Sequence, residues 1–255
     1  MSIGPKVGAG ALVALTAAAA VAVATGHTAA PGDMTATITA LPSTRTPAPT
    51  PSRPVATTTT TRPTPKPAPP RPYLLPSIRA VSKATALAHL AALPVRERTG
   101  RPGYDRNEWL RGWPSVQGCS VRNRVMAAQL RDVTRSPSCA VLSGMLTSPY
   151  TGTMIAYTSK SPGMVQVDHV YPLRAAYDAG LPRTKWRAFA TDESANLYAV
   201  EGRVNASKGD STPAEWMPIN PCPFSKAYVE VARKWGLPIA PADKTALREA
   251  IVAKC

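Results

Sequence analysis

The chain has 255 residues, with 30 Lys and Arg against 15 Asp and Glu, for a net charge of +15. An excess of this size excludes an acidic or neutral surface and favours a polyanionic partner, through counterion release and long-range steering. Four cysteines without a C-x-x-C pair, and no His at zinc-finger spacing, argue against a structural zinc site.

Residues 1–30 read as a signal peptide or signal anchor. Lys6 precedes an uncharged apolar run of 19 residues, Val7 to Thr25, and Ala22-Val23-Ala24 offers an A-x-A-like cleavage site. A run of that length also spans a bilayer, so an uncleaved anchor is the rival reading. The weak hydrophobicity of Ala favours cleavage. Both readings put the rest outside the cytoplasmic membrane, secreted or tethered. Residues 31–75 read as a disordered linker: between Pro42 and Pro72, 11 of 31 residues are Pro, 9 are Thr and none is acidic. Such a stretch cannot bury enough apolar surface to offset its ordering entropy, and it acts as an extended spacer.

Residues 76–255 read as one α+β domain. It holds 24 of the basic and 14 of the acidic residues, a net +10. Ser82 to Leu93 predicts a helix capped by Ser82 and stopped by Pro94, and Asn123 to Val133 predicts a second. Strands are expected at Cys139–Leu142, Met154–Tyr157 and Val165–Asp168. Phe224, Ala227, Tyr228, Val231, Ala232 and Trp235 recur at helical spacing, ended by Gly236 and Pro238. Asp243 is expected to cap a final helix with Leu247, Ala250 and Ile251 on one face. An even cysteine count in an exported chain reads as two disulfides. Three pairings are open; Cys119–Cys139 and Cys222–Cys255 are favoured because each closes a local loop.

Of the three histidines, His27 lies in the leader and His89 sits in a helix pattern beside Leu90, where a structural role fits best. His169 differs. It follows Asp168 at the end of an apolar run, and Tyr171-Pro172-Leu173 then breaks the strand. An imidazole with an ordinary pKa of about 6.5 suits a general base for hydrolysis. Downstream stand Asn196-Leu197-Tyr198-Ala199-Val200 and Asn205-Ala206-Ser207-Lys208-Gly209-Asp210.

Read together, Asp168-His169, Asn196, Asn205 and Lys208 resemble the HNH motif in its D-H…N…N-x-x-K form. Tyr104-Asp105-Arg106, Gly118-Cys119, Arg122-Asn123, Pro149-Tyr150-Thr151-Gly152 and Phe189-Ala190 extend the resemblance over roughly residues 80–255. The group resembled is the secreted HNH-family nucleases of high-GC Gram-positive bacteria and their phages, related to the nuclease domain of GmrSD-type modification-dependent restriction enzymes. Ser120-Val121 and Ser148 depart from its pattern. The resemblance implies a ββα-metal (His-Me finger) core with additional helices and a metal-dependent endonuclease acting on DNA, or also RNA. Asp168 and Asn205 would hold one divalent metal, Mg²⁺ or Mn²⁺, and Asn196 would hold the loop that orients the base. No small-molecule cofactor is implied, and a monomer is the default.

Lys208 lies three residues after Asn205 on one helix face, where it is expected to contact a phosphate or else to be a solvated surface lysine. Arg106, Arg122 and Arg174 are expected to line a nucleic-acid groove. The five tryptophans read as core. No helix-turn-helix, zinc finger or Gly-rich phosphate loop is visible, so binding should have little sequence specificity. The alternatives are a non-catalytic basic envelope protein that binds nucleic acid or acidic wall polymer, and a degenerate toxin or phage-exclusion factor.

Overall fold

The computed structural model describes residues 79–255; the leader 1–30 and the linker 31–75 lie outside the described residues. Within the described part, helices mix with three small antiparallel sheets in an α+β order. Two disulfides staple it, Cys119–Cys139 and Cys222–Cys255, with Cα–Cα distances of 5.4 and 5.2 Å. Such bonds form and persist in an oxidising compartment. Among the described residues no helix is long and apolar enough to cross a membrane.

Helix α1 (Lys83–Ala92) begins where the Ser82 hydroxyl accepts a hydrogen bond from the Thr85 backbone N–H at 3.0 Å. It buries Ala86 and Leu90, and His89 on its partly exposed side pairs with Glu230. A single turn, α2 (Arg106–Trp109), is capped by the Asp105 carboxylate. A tight hairpin of β1 (Ser115–Val116) and β2 (Cys119–Ser120) follows.

Helix α3 spans Val121–Gln129 rather than residues 123–133. Ser120 caps it, and Asn123 Oδ1 accepts from the Val141 N–H. The residues after Leu130 leave the helix because β3 (Arg131–Arg135) finds hydrogen-bond partners on β4 (Val141–Thr147). That strand also starts later than expected. Cys139 has a left-handed backbone, φ 69°, which breaks the extended run and leaves it in the turn before β4. Strand β5 (Met154–Thr158) completes the sheet in the order β3-β4-β5.

After a 3₁₀ turn at Pro162–Met164, β6 (Val165–His169) pairs antiparallel with β7 (Leu197–Glu201), with Asp168 opposite Tyr198 and His169 opposite Leu197. Between them run α4 (Leu173–Asp178) and α5 (Trp186–Ala190). Alternation along β6 sends Val165 and Val167 into a core shared with Val125, Leu146 and Tyr157. Gln166 and Asp168 face the other way, onto α6 (Gly202–Lys208), where they hydrogen-bond Asn205 and Lys208. Gly202 makes that packing possible. A Cβ there would sit 1.9 Å from the Gly163 carbonyl oxygen. Buried Gln129 supports β7 from its side, donating to Leu197 O and accepting from Ala199 N.

The second core joins α1, α4 and α5 to α7 (Pro221–Trp235) and α8 (Pro241–Lys254). Phe224, Ala227, Tyr228 and Val231 of α7 are buried as their spacing predicts, and Gly236 ends the helix at φ 64°. Asp243 does not cap α8. Ala240 holds the cap position, Pro241 opens the first turn, and Asp243 Oδ1 accepts from the Ala214 N–H.

Candidate functional site

The end of β6 carries Asp168 and His169 into the junction between the two cores. The His169 Nε2 lies 2.9 Å from the Ala190 carbonyl oxygen. A carbonyl only accepts, so Nε2 carries the hydrogen and Nδ1 carries the lone pair. No described group hydrogen-bonds Nδ1. His169 is 4% exposed, and its ring lies nearly parallel to Trp113, 5.8 Å between centroids. Burial lowers its pKa to about 3; the Ala190 bond works the other way, and the Arg106 and Lys208 charges lower it further. At neutral pH the imidazole is therefore uncharged.

Asn196 sits at the entry to β7 and is fully buried. Its Oδ1 accepts from the Tyr171 N–H at 2.8 Å, its Nδ2 donates to the Tyr171 carbonyl at 3.2 Å, and its own carbonyl accepts from the Val170 N–H. One amide side chain thus closes the loop that leaves His169. A strand-break needs such a clamp, since its buried backbone groups have no ladder partner.

Lys208 is not a surface lysine. Its side chain is completely buried, and its ammonium donates to Asp168 Oδ1 at 3.1 Å and to the His169 carbonyl at 3.0 Å. The reason is register. Asn205 and Lys208 lie three apart on α6 and meet Gln166 and Asp168, two apart on β6, so the helix lays its ammonium directly on the carboxylate. The other carboxylate oxygen, Oδ2, accepts from the buried Tyr150 hydroxyl at 2.6 Å.

A cleft of about 360 Å³ opens beside this cluster, lined by Tyr104, Arg106, Asp168, His169, Arg174, Asn205 and Asp210 among others. Asp168, His169 and Asn205 thus border one space, with Arg106 exposed at its edge. Arg174 borders it too, but its guanidinium is held by Asp178 and lies over the Tyr104 ring. Arg122 is not among the lining residues; it donates to the Val165 carbonyl and lies over Tyr157.

The donor set for a cation is two hard oxygen groups. Asp168 accepts one hydrogen bond on each oxygen and keeps further lone pairs. Asn205 gives its Nδ2 to Gln166, which leaves Oδ1 free of any described partner. No group of three His, Cys, Asp or Glu among the described residues forms a metal cage. Such a pair fits an ion that retains most of its water, as Mg²⁺ does, and not zinc. Lys208 weakens the fit by neutralising Asp168.

Tyr150 and Asp210 were not singled out by sequence reasoning as site residues. Both lie in stretches that carry the family resemblance, Pro149-Tyr150-Thr151-Gly152 and Asn205 to Asp210, and that was the available signal. No family model, no curated protein and no solved structure matches this chain.

Proposed function

We propose that the chain is an exported, metal-dependent endonuclease of the HNH (His-Me finger) type, with β6, β7 and α6 as its ββα core. The observation that carries this reading is the Nε2–H bond from His169 to Ala190, which leaves the Nδ1 lone pair as the base in a cleft shared with Asp168 and Asn205. The basic charge of the chain suits a nucleic-acid substrate, DNA or RNA. Export is supported by the two disulfides together with the leader-like segment.

Hydrolysis needs a proton taken from water as its oxygen attacks phosphorus. His169 Nδ1 accepts that proton. Its low pKa keeps it available, and the negative charge of a bound phosphate raises its basicity during the reaction. Asn196 holds the loop so that the ring cannot turn. Asp168 and Asn205 would hold the metal ion, which when bound neutralises charge on the phosphate and eases departure of the 3′ oxygen. Tyr150 and Lys208 fix the Asp168 carboxylate, and Arg106 offers a guanidinium to the phosphate backbone.

The test is nicking of supercoiled plasmid by the purified protein. Cleavage should require Mg²⁺ or Mn²⁺, stop with EDTA, and vanish in His169→Ala with the far-UV circular dichroism retained. Metal-independent cleavage, or an active His169→Ala protein, sinks the reading. One observation favours a second reading, a non-catalytic basic binder: Lys208 already neutralises the carboxylate that would hold the cation. Tight oligonucleotide binding with no cleavage under any divalent metal supports that one.

A further inference from the structure

Helix α2 separates two clefts. Arg106 lines the one that contains His169; Asn107, Glu108 and Trp109 line another, of about 490 Å³. We infer that this second cleft is a phosphate-binding subsite that holds a flanking stretch of the nucleic-acid strand. The inference rests on the nuclease reading for the identity of the strand, and on its own geometry for the site.

Three arginines line the cleft, Arg111, Arg183 and Arg187, and all are exposed. Arg183 pairs with Glu108 at 3.1 Å and lies over the Trp186 ring. No carboxylate among the described residues meets Arg111 or Arg187. With Glu108 counted, the lining is still net positive by two. Exposed arginines on a convex surface are ordinarily just solvated. Here all three line one concavity, beside the stacked pair Trp109 and Trp186. A phosphate diester supplies the negative charge that balances them. Guanidinium groups bind it bidentately, which a carboxylate-poor cleft allows.

The placement fits a continuous strand. Helix α2 is one turn, about 6 Å long. A helix with its side chains is ~10–12 Å across, so a strand with one phosphate per ~3.4 Å of rise passes it in roughly three to four nucleotides. The strand cut beside His169 is thereby held a short way from the cut.

The test compares the wild-type protein with Arg111→Gln/Arg183→Gln/Arg187→Gln, in EDTA, by fluorescence anisotropy with labelled oligothymidylate over a range of salt. Loss of the subsite weakens binding at least about tenfold and lowers the log–log salt slope by about 0.7 for each phosphate contact removed. Equal affinity and equal slope overturn the proposal. So does a variant that loses binding to poly(glycerol phosphate) but keeps oligothymidylate, because the cleft then serves a wall polymer. Hydrolysis of bis(p-nitrophenyl) phosphate, which has no flanking phosphate, should be unchanged in the variant; a drop there reveals damage to the His169 cleft and overturns the assignment. If the wild-type protein hydrolyses nothing, the nuclease reading falls, and the binding data still decide the subsite.

Discussion

The Lys208 ammonium and the Asp168 carboxylate form an ion pair at 3.1 Å, with the lysine side chain sealed from solvent and the aspartate 7% exposed. Burying two charges is costly, and removing either partner leaves the other without compensation. Lys208→Met should therefore cost about 3–5 kcal/mol in urea unfolding. Asp168→Asn should cost a similar amount: the amide still accepts from Tyr150, but the buried Lys208 ammonium loses its counter-charge. The double variant should fall well short of the sum. If the two changes add within about 0.5 kcal/mol, the pair does not exist in solution.

How far the sequence discloses this arrangement depends on where each partner lies. Helices α1 and α7 were legible because their apolar spacing and the stops at Pro94 and Gly236 are local. Strand β6 and the position of His169 at its end were legible for the same reason. Strand β3 was not: Arg131, Asp132 and Arg135 are exposed on a sheet edge, so no alternation marks it. The helix face shared by Asn205 and Lys208 could be read from their spacing, but not which strand residue it meets, since Asp168 is 40 positions away. The Ala190 carbonyl that sets the His169 tautomer is a backbone group, and side-chain patterns do not announce it. The acceptor of Arg122, the Val165 carbonyl, is equally silent in sequence.

His169 makes stability depend on pH. Its ordinary pKa is 6.5, and burial holds it near 3 in the folded protein. Between those values the unfolded chain binds a proton at this position and the folded chain does not, so stability rises with pH there. The contribution is complete above 6.5 and is lost as pH falls toward 3, with a slope of at most ~1.4 kcal/mol per pH unit for one proton. Burial pushes the Asp192 carboxyl up, but hydrogen bonds from Lys234, Ser194 and Trp235 outweigh it and hold the group low. Its contribution is lost only as pH drops below 3.8. Melting curves at pH 7.5 and 4.5 should thus separate more for the wild-type protein than for His169→Gln. An equal difference means that the ring is solvated.

Asn196 offers a test of the loop clamp. Asn196→Ala strips partners from the buried Tyr171 N–H and carbonyl, at about 1–3 kcal/mol for each orphaned group. Asn196→Asp keeps the acceptor for the N–H but sets an oxygen against the Tyr171 carbonyl, so it should be no better than a partial rescue. Thermal unfolding ranks the three proteins. A harmless Asn196→Ala shows that the loop is held by its packing alone.

Gly202 links stability to the site through geometry rather than charge. Helix α6 starts against the backbone of the 3₁₀ turn, where an added Cβ would lie 1.9 Å from the Gly163 carbonyl oxygen. A backbone oxygen cannot rotate away as a side-chain end can, so Gly202→Ala must push α6 off β6 and β7. That shift separates Asn205 from Gln166 and Lys208 from Asp168 together. The expected result is a loss of several kcal/mol, of the order that overpacking and a broken buried pair produce. Gly163→Ala is the control, because nothing lies within 4 Å of a Cβ added there. It should unfold close to the wild-type midpoint, while Gly202→Ala should unfold far below it; equal midpoints would mean that α6 does not dock where its glycine allows.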